Sequence, residues 1–534
     1  MVPTELNPRP LGVRLWPAVV AGLLATLVVV LGWRGSDWPA QLYRADLFDR
    51  AGFTQWDNQW YGGHHTPGYS LLFPPLGALI GVPMVAILAS LSASWMFAKV
   101  AGARFAPGAA RIAALWFAVG STTNVAVGRV TFALGLSFAL AAVVALLRMS
   151  WWAVLLAVAA PLASPVAGVF VAIAATATWF ASRRADDRKL SRLAIAMSVG
   201  ALAPIGILSV TFPEGGRFPF LFGHLVGVIA ACAIVAFIAP RNWDALRIGA
   251  ALYALLAVTS FVVPNQLGGN LTRLAMLLGG PVAAGILWPR RKALLIVLAL
   301  PMIVWQWQPA VDAMFTAGRD PSAHEAYYQP LLDFLDEQPV GRIEIPFTKR
   351  HWESHFVARH VPLARGWQRQ LDIEFNSLFY EPGLLTESSY REWLSTNAIS
   401  YVALPDVELD ESAVAEAALL RTGIAGLRPV WNNANWQVWQ VTDTEPLVEG
   451  AARLERLDPD AFTLHVNDPG DVLVRIRYSS HWDIEGPGCL VESPDGWTLL
   501  HSPRRGDLRV RQVVSNWVPF RPERSDECPL MSAN

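Results

Sequence analysis

The chain has 534 residues and a formal net charge of −1, with 53% hydrophobic and only 16% charged residues. Soluble globular proteins carry about 25% charged residues, so an ordinary soluble enzyme, a disordered chain and an electrostatic nucleic-acid binder are all excluded. The near-zero total hides two opposed halves: residues 1–310 hold 22 Lys+Arg against 9 Asp+Glu (net +13), and residues 311–534 hold 20 against 34 (net −14).

Long apolar runs separated by short polar or Pro/Gly-rich joints fill the first half. About 20 apolar residues cross a bilayer as a helix. The runs predict about eleven spans, near 15–33, 71–97, 106–121, 130–148, 151–162, 165–181, 192–211, 219–239, 247–263, 271–288 and 293–309. The stretch 151–181 is too long for one span, and Pro161 with Ser164-Pro165 suggests a break inside it. The first run is read as a span and not a cleaved signal, because no small-residue cleavage site follows it.

Basic residues set the orientation. With the N-terminus cytoplasmic, 16 of the 22 basic residues of this half fall inside, from Arg9 and Arg14 through Arg183–Arg192 to Arg290-Arg291-Lys292. Six stay outside: Arg34, Arg44, Arg50, Arg129, Arg217 and Arg273. That asymmetry is the positive-inside pattern. An odd number of spans then predicts an N-in/C-out chain in the plasma membrane with its acidic C-terminal region exported.

The first outer loop, 34–70, is long and holds four of the nine acids of this half: Asp37, Asp46, Asp49 and Asp57. It also holds Trp56, Trp60, Tyr61, His64 and His65, with Gly62-Gly63 and Pro67-Gly68 implying a folded shape. Loops of this size tend to carry function. The histidines are candidate hydrogen-bond donors to an anionic ligand; as neighbours they point apart, so no paired metal site is expected. Later outer joints add Asn124 with Arg129, Glu214 with Arg217, and Asn270 with Arg273. Arginines on the side where basic residues are disfavoured need partners, either loop acids, lipid headgroups or a bound anion. The three together point to a phosphate or diphosphate, whose oxygens match the guanidinium fork.

Residues 311–445 mix helical and strand patterns, including AYYQPLLDFLDEQ, ISYVALP and the hairpin LRPVWNNANWQVWQV, and predict a small α/β domain. From 446 to 534 short strands punctuated by Pro469-Gly470, Pro487-Gly488 and Asp495-Gly496 predict a β-sandwich. The segment HWESHFVARHVPLARGWQRQLDIEFNSLFY reads either as a solvated charged face or as an acceptor groove built from Trp352, Glu353, Arg365, Trp367 and Arg369. Trp352, Trp367, Trp482 and Trp497 are candidates for stacking on sugar rings, or for ordinary packing. Cys232 lies in an apolar run, whereas Cys489 and Cys528 fall in the exported region and are either a disulfide or two separate thiols. No HExxH, P-loop or paired CxxC pattern occurs.

An N-in multi-pass core, an acidic first outer loop and an exported C-terminal region together resemble the GT-C superfamily of glycosyltransferases. The loop stretch RADLFDRAGFTQWDNQWYGGHHTPGYSLLFPPL, with ASPVAG, FPEGGRFPF and WQRQLDIEFNSLFY, is similar to actinobacterial membrane proteins labelled 6-pyruvoyl-tetrahydropterin synthase-related, some of which are named as transporters. The GT-C resemblance implies an inverting transfer of sugar from a polyprenyl-phosphate donor to a cell-envelope glycan, glycolipid or protein. A first-loop carboxylate would act as base, with Asp46 the best match, then Asp57 and Asp49. Arg129, Arg217 and Arg273, with His64 or His65, would hold the donor phosphate. A divalent cation is compatible with this chemistry but not required, and no metal ligands are assigned. The alternatives are a transporter or lipid flippase, or a non-catalytic envelope scaffold; few charges inside the spans and no internal repeat weigh against transport.

Overall fold

The computed structural model describes residues 15–339 and 341–513. Arg9, Arg14 and Cys528, on which part of the topology and the expected disulfide depend, lie outside the described residues. The chain divides into two units. The first comprises residues up to Gln41, Gly68–Val210 and Gly215–Arg319; the second comprises Leu42–Pro67, Thr211–Glu214 and the residues from Asp320 on.

The elements begin with α1 (Trp16–Val30), α2 (Trp38–Ala51), β1 (Trp56–Asp57) and β2 (His64–His65). Of these α1 lies in the first unit, with eleven further helices: α3 (Phe73–Ile80), α4 (Val82–Arg104), α5 (Pro107–Val127), α6 (Val130–Leu147), α7 (Trp152–Ala163), α8 (Pro165–Arg184), α9 (Arg188–Thr211), α10 (Phe222–Ile238), α11 (Asp244–Val262), α12 (Thr272–Leu287) and α13 (Lys292–Thr316). Among the described residues seven helices are long and apolar enough to cross a membrane, which makes this unit a polytopic helical membrane protein. Seven is fewer than the eleven runs suggest, partly because α1, α7 and α10 have only 15, 12 and 17 residues.

Two breaks take definite form, one of them expected. The run 71–97 is two helices and not one, because Gly81 adopts φ +83° between α3 and α4, a conformation other residues rarely take. Ser164 is extended between α7 and α8, as the residue before a proline prefers. Small residues let the helices close up: α4 buries Ala86, Ala89, Ser90, Ala93, Ser94 and Ala101, and packs on α1, α5 and α6. Ser90 and Ser121 join α4 to α5 by a hydroxyl pair at 2.9 Å. On another face of α5, Trp116 Nε1 donates to Gln306 Oε1 of α13 at 3.0 Å.

The second unit contains α14 (Glu325–Asp336), β3 (Arg342–Glu344), α15 (Glu353–Phe356), α16 (Arg369–Phe375), α17 (Glu387–Thr396), β4 (Ile399–Pro405), α18 (Val414–Thr422), β5 (Leu427–Asn432) and β6 (Trp436–Val441). Its first sheet runs β3-β4-β6-β5, with β3 parallel to β4 and the rest antiparallel. The strands β7 (Val448–Glu449), β8 (Ala452–Asp458), β9 (Ala461–Val466), β10 (Gly470–Arg477), β11 (Trp482–Glu485), β12 (Cys489–Glu492), β13 (Trp497–Ser502) and β14 (Gly506–Gln512) form two antiparallel four-stranded sheets, β12-β13-β10-β7 and β11-β14-β9-β8. Alternate side chains of both sheets share one core, with Val472, Val474 and Leu500 meeting Phe462, Leu464, Leu508 and Val510. Trp56, from β1, completes that core and meets Trp482 edge to face at 5.4 Å.

Candidate active site

In the membrane unit, the C-terminal end of α5 organises a charged cluster. Gly128 caps α5 with φ +95°, and a Cβ there would collide with the backbone of Asp37 and Trp38. That close approach lets the segment after α1 stitch itself to the helix end. Gly35 N–H donates to the Ala126 carbonyl at 2.8 Å, Asp37 N–H to Val127 at 3.0 Å, and Trp38 Nε1 to Val125 at 2.8 Å. Asp37 is thereby delivered to Arg129, with Oδ2 3.9 Å from Nε. Arg273, in the first turn of α12, acts electrostatically on Arg129, Asp37 and Tyr69, and its guanidinium lies 5.3 Å from the Phe132 ring centre. Two guanidiniums therefore share one carboxylate, a local excess of positive charge. Arg129 Nε is buried and has no hydrogen-bond partner among the described residues. Asn124 and Asn270 are also buried, in α5 and in the turn before α12. Tyr69 accepts a hydrogen bond from Gln41 Nε2 at 2.9 Å. Arg217 is exposed on the segment between α9 and α10.

The sequence alone assigns Asp37 no role beyond that of a loop acid. Its signal is local: a Gly-Ser-Asp step directly after the first apolar run, leading into α2.

The second unit holds the remaining loop residues. The stretch 34–70 is not a bare loop but a helix, α2, followed by the β1–β2 pair, in which Trp56 faces His65 and Asp57 faces His64. Asp57 is fully buried: the Tyr43 hydroxyl lies 2.9 and 3.0 Å from its two oxygens, and Gln59 N–H donates to Oδ1 at 3.0 Å. Burial pushes its carboxyl up to about 6. An acid so enclosed anchors the loop and does not face solvent. His64 stacks on Trp60 with ring centres 5.7 Å apart, and burial with nearby Arg44 lowers it to about 3. Burial, then His481, lowers His65 to about 4, while its backbone N–H donates to Glu214. Both imidazoles are neutral interior groups, so neither offers the positive charge a phosphate would draw on. Glu214 itself is raised to about 7 by burial.

Of the three ranked carboxylates, Asp49 is exposed and Asp46 is half-exposed. Asp46 Oδ2 lies 3.5 Å from His355 Nδ1 and 3.7 Å from Arg359 Nη1. Burial lifts its carboxyl above the ordinary range, against the pull of Arg359 and Arg50.

Three of the five expected groove residues are placed in the interior, and Trp367 and Arg369 are half-buried. Trp352, Glu353 and Arg365 are all buried, so these three line no open groove among the described residues. Arg365 sits between the Phe347 and Phe379 rings, 4.0 Å from each centre, and faces Asp372 at 2.7 Å, Glu416 at 3.5 Å and Glu344 at 3.8 Å. Arg369 grips Asp410 with two nitrogens, at 3.0 and 2.8 Å, and lies over Trp367. Trp367 in turn stacks on His351 at 3.5 Å. Glu353 accepts from the Thr348 hydroxyl at 2.6 Å, and burial pushes it up to about 8. Among the described residues no three His, Cys, Asp or Glu side chains converge as metal ligands. Cys232 is a buried free thiol.

No protein-family profile matches the chain, and no curated protein is similar to it. Among solved structures it is similar to the crystal structure of ArnT from Cupriavidus metallidurans bound to undecaprenyl phosphate. The match covers 80% of this chain and 99% of that one, at 12% identity and a TM-score of 0.43.

Proposed function

We propose that the chain is a GT-C-type membrane glycosyltransferase that takes its sugar from a polyprenyl-phosphate carrier and passes it to a cell-envelope acceptor at the outer face. The observation that carries this reading is the pair of half-buried guanidiniums, Arg129 and Arg273, left with one carboxylate between them at the helix ends. Two half-buried cations outnumber the one carboxylate beside them, and a carrier phosphate supplies the missing negative charge together with hydrogen-bond acceptors for Arg129 Nε, which faces Asp37 only across 3.9 Å.

In the proposed step the acceptor oxygen bonds to the anomeric carbon as the bond from that carbon to the phosphate oxygen breaks, its electron pair leaving with the polyprenyl phosphate. The hydroxyl proton passes to Asp46, whose raised carboxyl suits a general base. Cys489 and Cys528 are proposed to form a disulfide in the exported region, with the N-terminus cytoplasmic.

The test uses full-length protein in nanodiscs with a panel of undecaprenyl-phosphate-linked sugars. Wild type should release undecaprenyl phosphate in step with glycosylated acceptor, and Asp46→Ala should abolish turnover with expression intact. Arg129→Gln should weaken undecaprenyl phosphate binding about 10- to 100-fold, the weight of a charge-assisted hydrogen bond. Unaltered binding in Arg129→Gln and Arg273→Gln removes the phosphate site from the reading. Lipid scrambling in liposomes without sugar transfer replaces the transferase with a flippase.

A further inference from the structure

Asp46 is embedded in a small charged assembly within the second unit. His355, at the end of α15, is 8% exposed at its side chain, whereas Asp46 is 37% exposed. The imidazole is boxed by Trp352, with ring centres 6.2 Å apart, and by Phe356 at 4.9 Å. Solvent therefore reaches the pair through the carboxylate, while apolar rings fix the histidine behind it. Arg359 is held in its turn, donating from Nη2 to Glu325 Oε1 at 2.6 Å while its carbonyl accepts from Arg50 Nη1 at 3.4 Å.

The groups facing Asp46 come from three elements: Asp49 and Arg50 from its own helix, His355 and Arg359 from the segment that includes α15, and Glu325 from α14. Two guanidiniums stand against three carboxylates, counting Asp46, so the fixed charges sum to −1.

We propose that His355 is a positioning residue for Asp46, orienting the carboxylate through Nδ1–H and supplying the cation that balances it. This rests on the reading of Asp46 as the base. When the acceptor hydroxyl gives up its proton, Asp46 takes it and His355 keeps its own, so the imidazole exchanges nothing with substrate. The 3.5 Å separation is loose for a hydrogen bond; such contacts often tighten when substrate binds.

Two measurements test it on the full chain. Histidine C2-proton exchange followed by mass spectrometry reads the titration of His355 without any ligand. Replacing Asp46 by Asn removes an opposite charge within 4 Å and should lower the His355 midpoint by about one unit or more; an unmoved midpoint overturns the pairing. With the undecaprenyl-phosphate sugar turned over by wild type, His355→Ala should lower kcat about tenfold or more with little change in KM for the donor, and should displace the acidic limb of the pH profile. His355→Gln, which retains a donor, should recover part of kcat. Should His355→Ala fail to fold, Arg359→Gln is read in its place, with a displaced acidic limb expected. An unchanged profile in folded His355 variants, alongside an inactive Asp46→Ala, overturns the positioning role and leaves the base intact. Full activity in Asp46→Ala overturns the base and this inference with it, whatever the exchange data say of the pair.

Discussion

Tyr43 and Asp57 are 14 residues apart in the chain and make one unit of structure. The hydroxyl and the Gln59 N–H satisfy a carboxyl that has no access to solvent. Tyr43→Phe leaves that acceptor short of a partner in a buried place, and is expected to cost about 1–3 kcal/mol of unfolding free energy, read by thermal or denaturant unfolding. Arg365 is a sharper case. Its guanidinium faces Asp372, Glu416 and Glu344, all buried, so Arg365→Ala strands acids and should destabilise the unit by about 3–5 kcal/mol. These residues also mark the limit of what a sequence displays. Asp57 in WDNQWY reads as an accessible loop acid, because nothing nearby announces that Tyr43 folds back over it. Arg365 reads as a groove residue because its partners stand at 344, 372 and 416, and only the fold collects them. Asp46 is half-exposed and sits on a helix, α2, where the sequence reads only a loop.

At the scale of elements, the apolar runs were readable because a bilayer imposes length and hydropathy on each helix independently of its neighbours. The Ser164 break and the β5–β6 hairpin followed from Pro165 and from the Asn-rich turn, both local signals. What local pattern did not announce was α2, WPAQLYRADLFDRA, whose polar and apolar residues make no clean stripe, or the break at Gly81. Gly128 shows how much one backbone conformation can position. Its φ of +95° and the collision of any Cβ with Asp37 and Trp38 predict that Gly128→Ala costs about 2 kcal/mol or more. Because the same contact delivers Asp37 to Arg129, that variant should also lose affinity for undecaprenyl phosphate. Unfolding and lipid-binding measurements on one preparation check both, and retained affinity in a destabilised protein would separate the cap from the site.

For the whole molecule, several carboxyls of the second unit are buried in the state that keeps a proton: Glu353 is raised to about 8 and Glu416 to about 7, each chiefly by burial. The folded protein then binds more protons than the unfolded chain between the ordinary glutamate range and those values. Stability from these groups is complete below about pH 4.5 and is lost as pH rises toward 8. Amide hydrogen exchange of the second unit should show weakening protection across that window, and Glu353→Gln should flatten the trend. The same unit is assembled from chain segments made at very different times. Trp56 fills the sandwich core, and Asn58 Nδ2 donates at 2.9 Å to the carbonyl of Asp458, 400 residues later. At synthesis rates of about 5–20 residues per second, the early loop waits about 20–80 s for strands that do not yet exist. During that interval Trp56 has no sandwich core to enter. Secretion of the C-terminal region alone, from Asp320 on, should yield a sandwich with an indole-sized vacancy, recoverable by supplying the missing loop as a separate peptide.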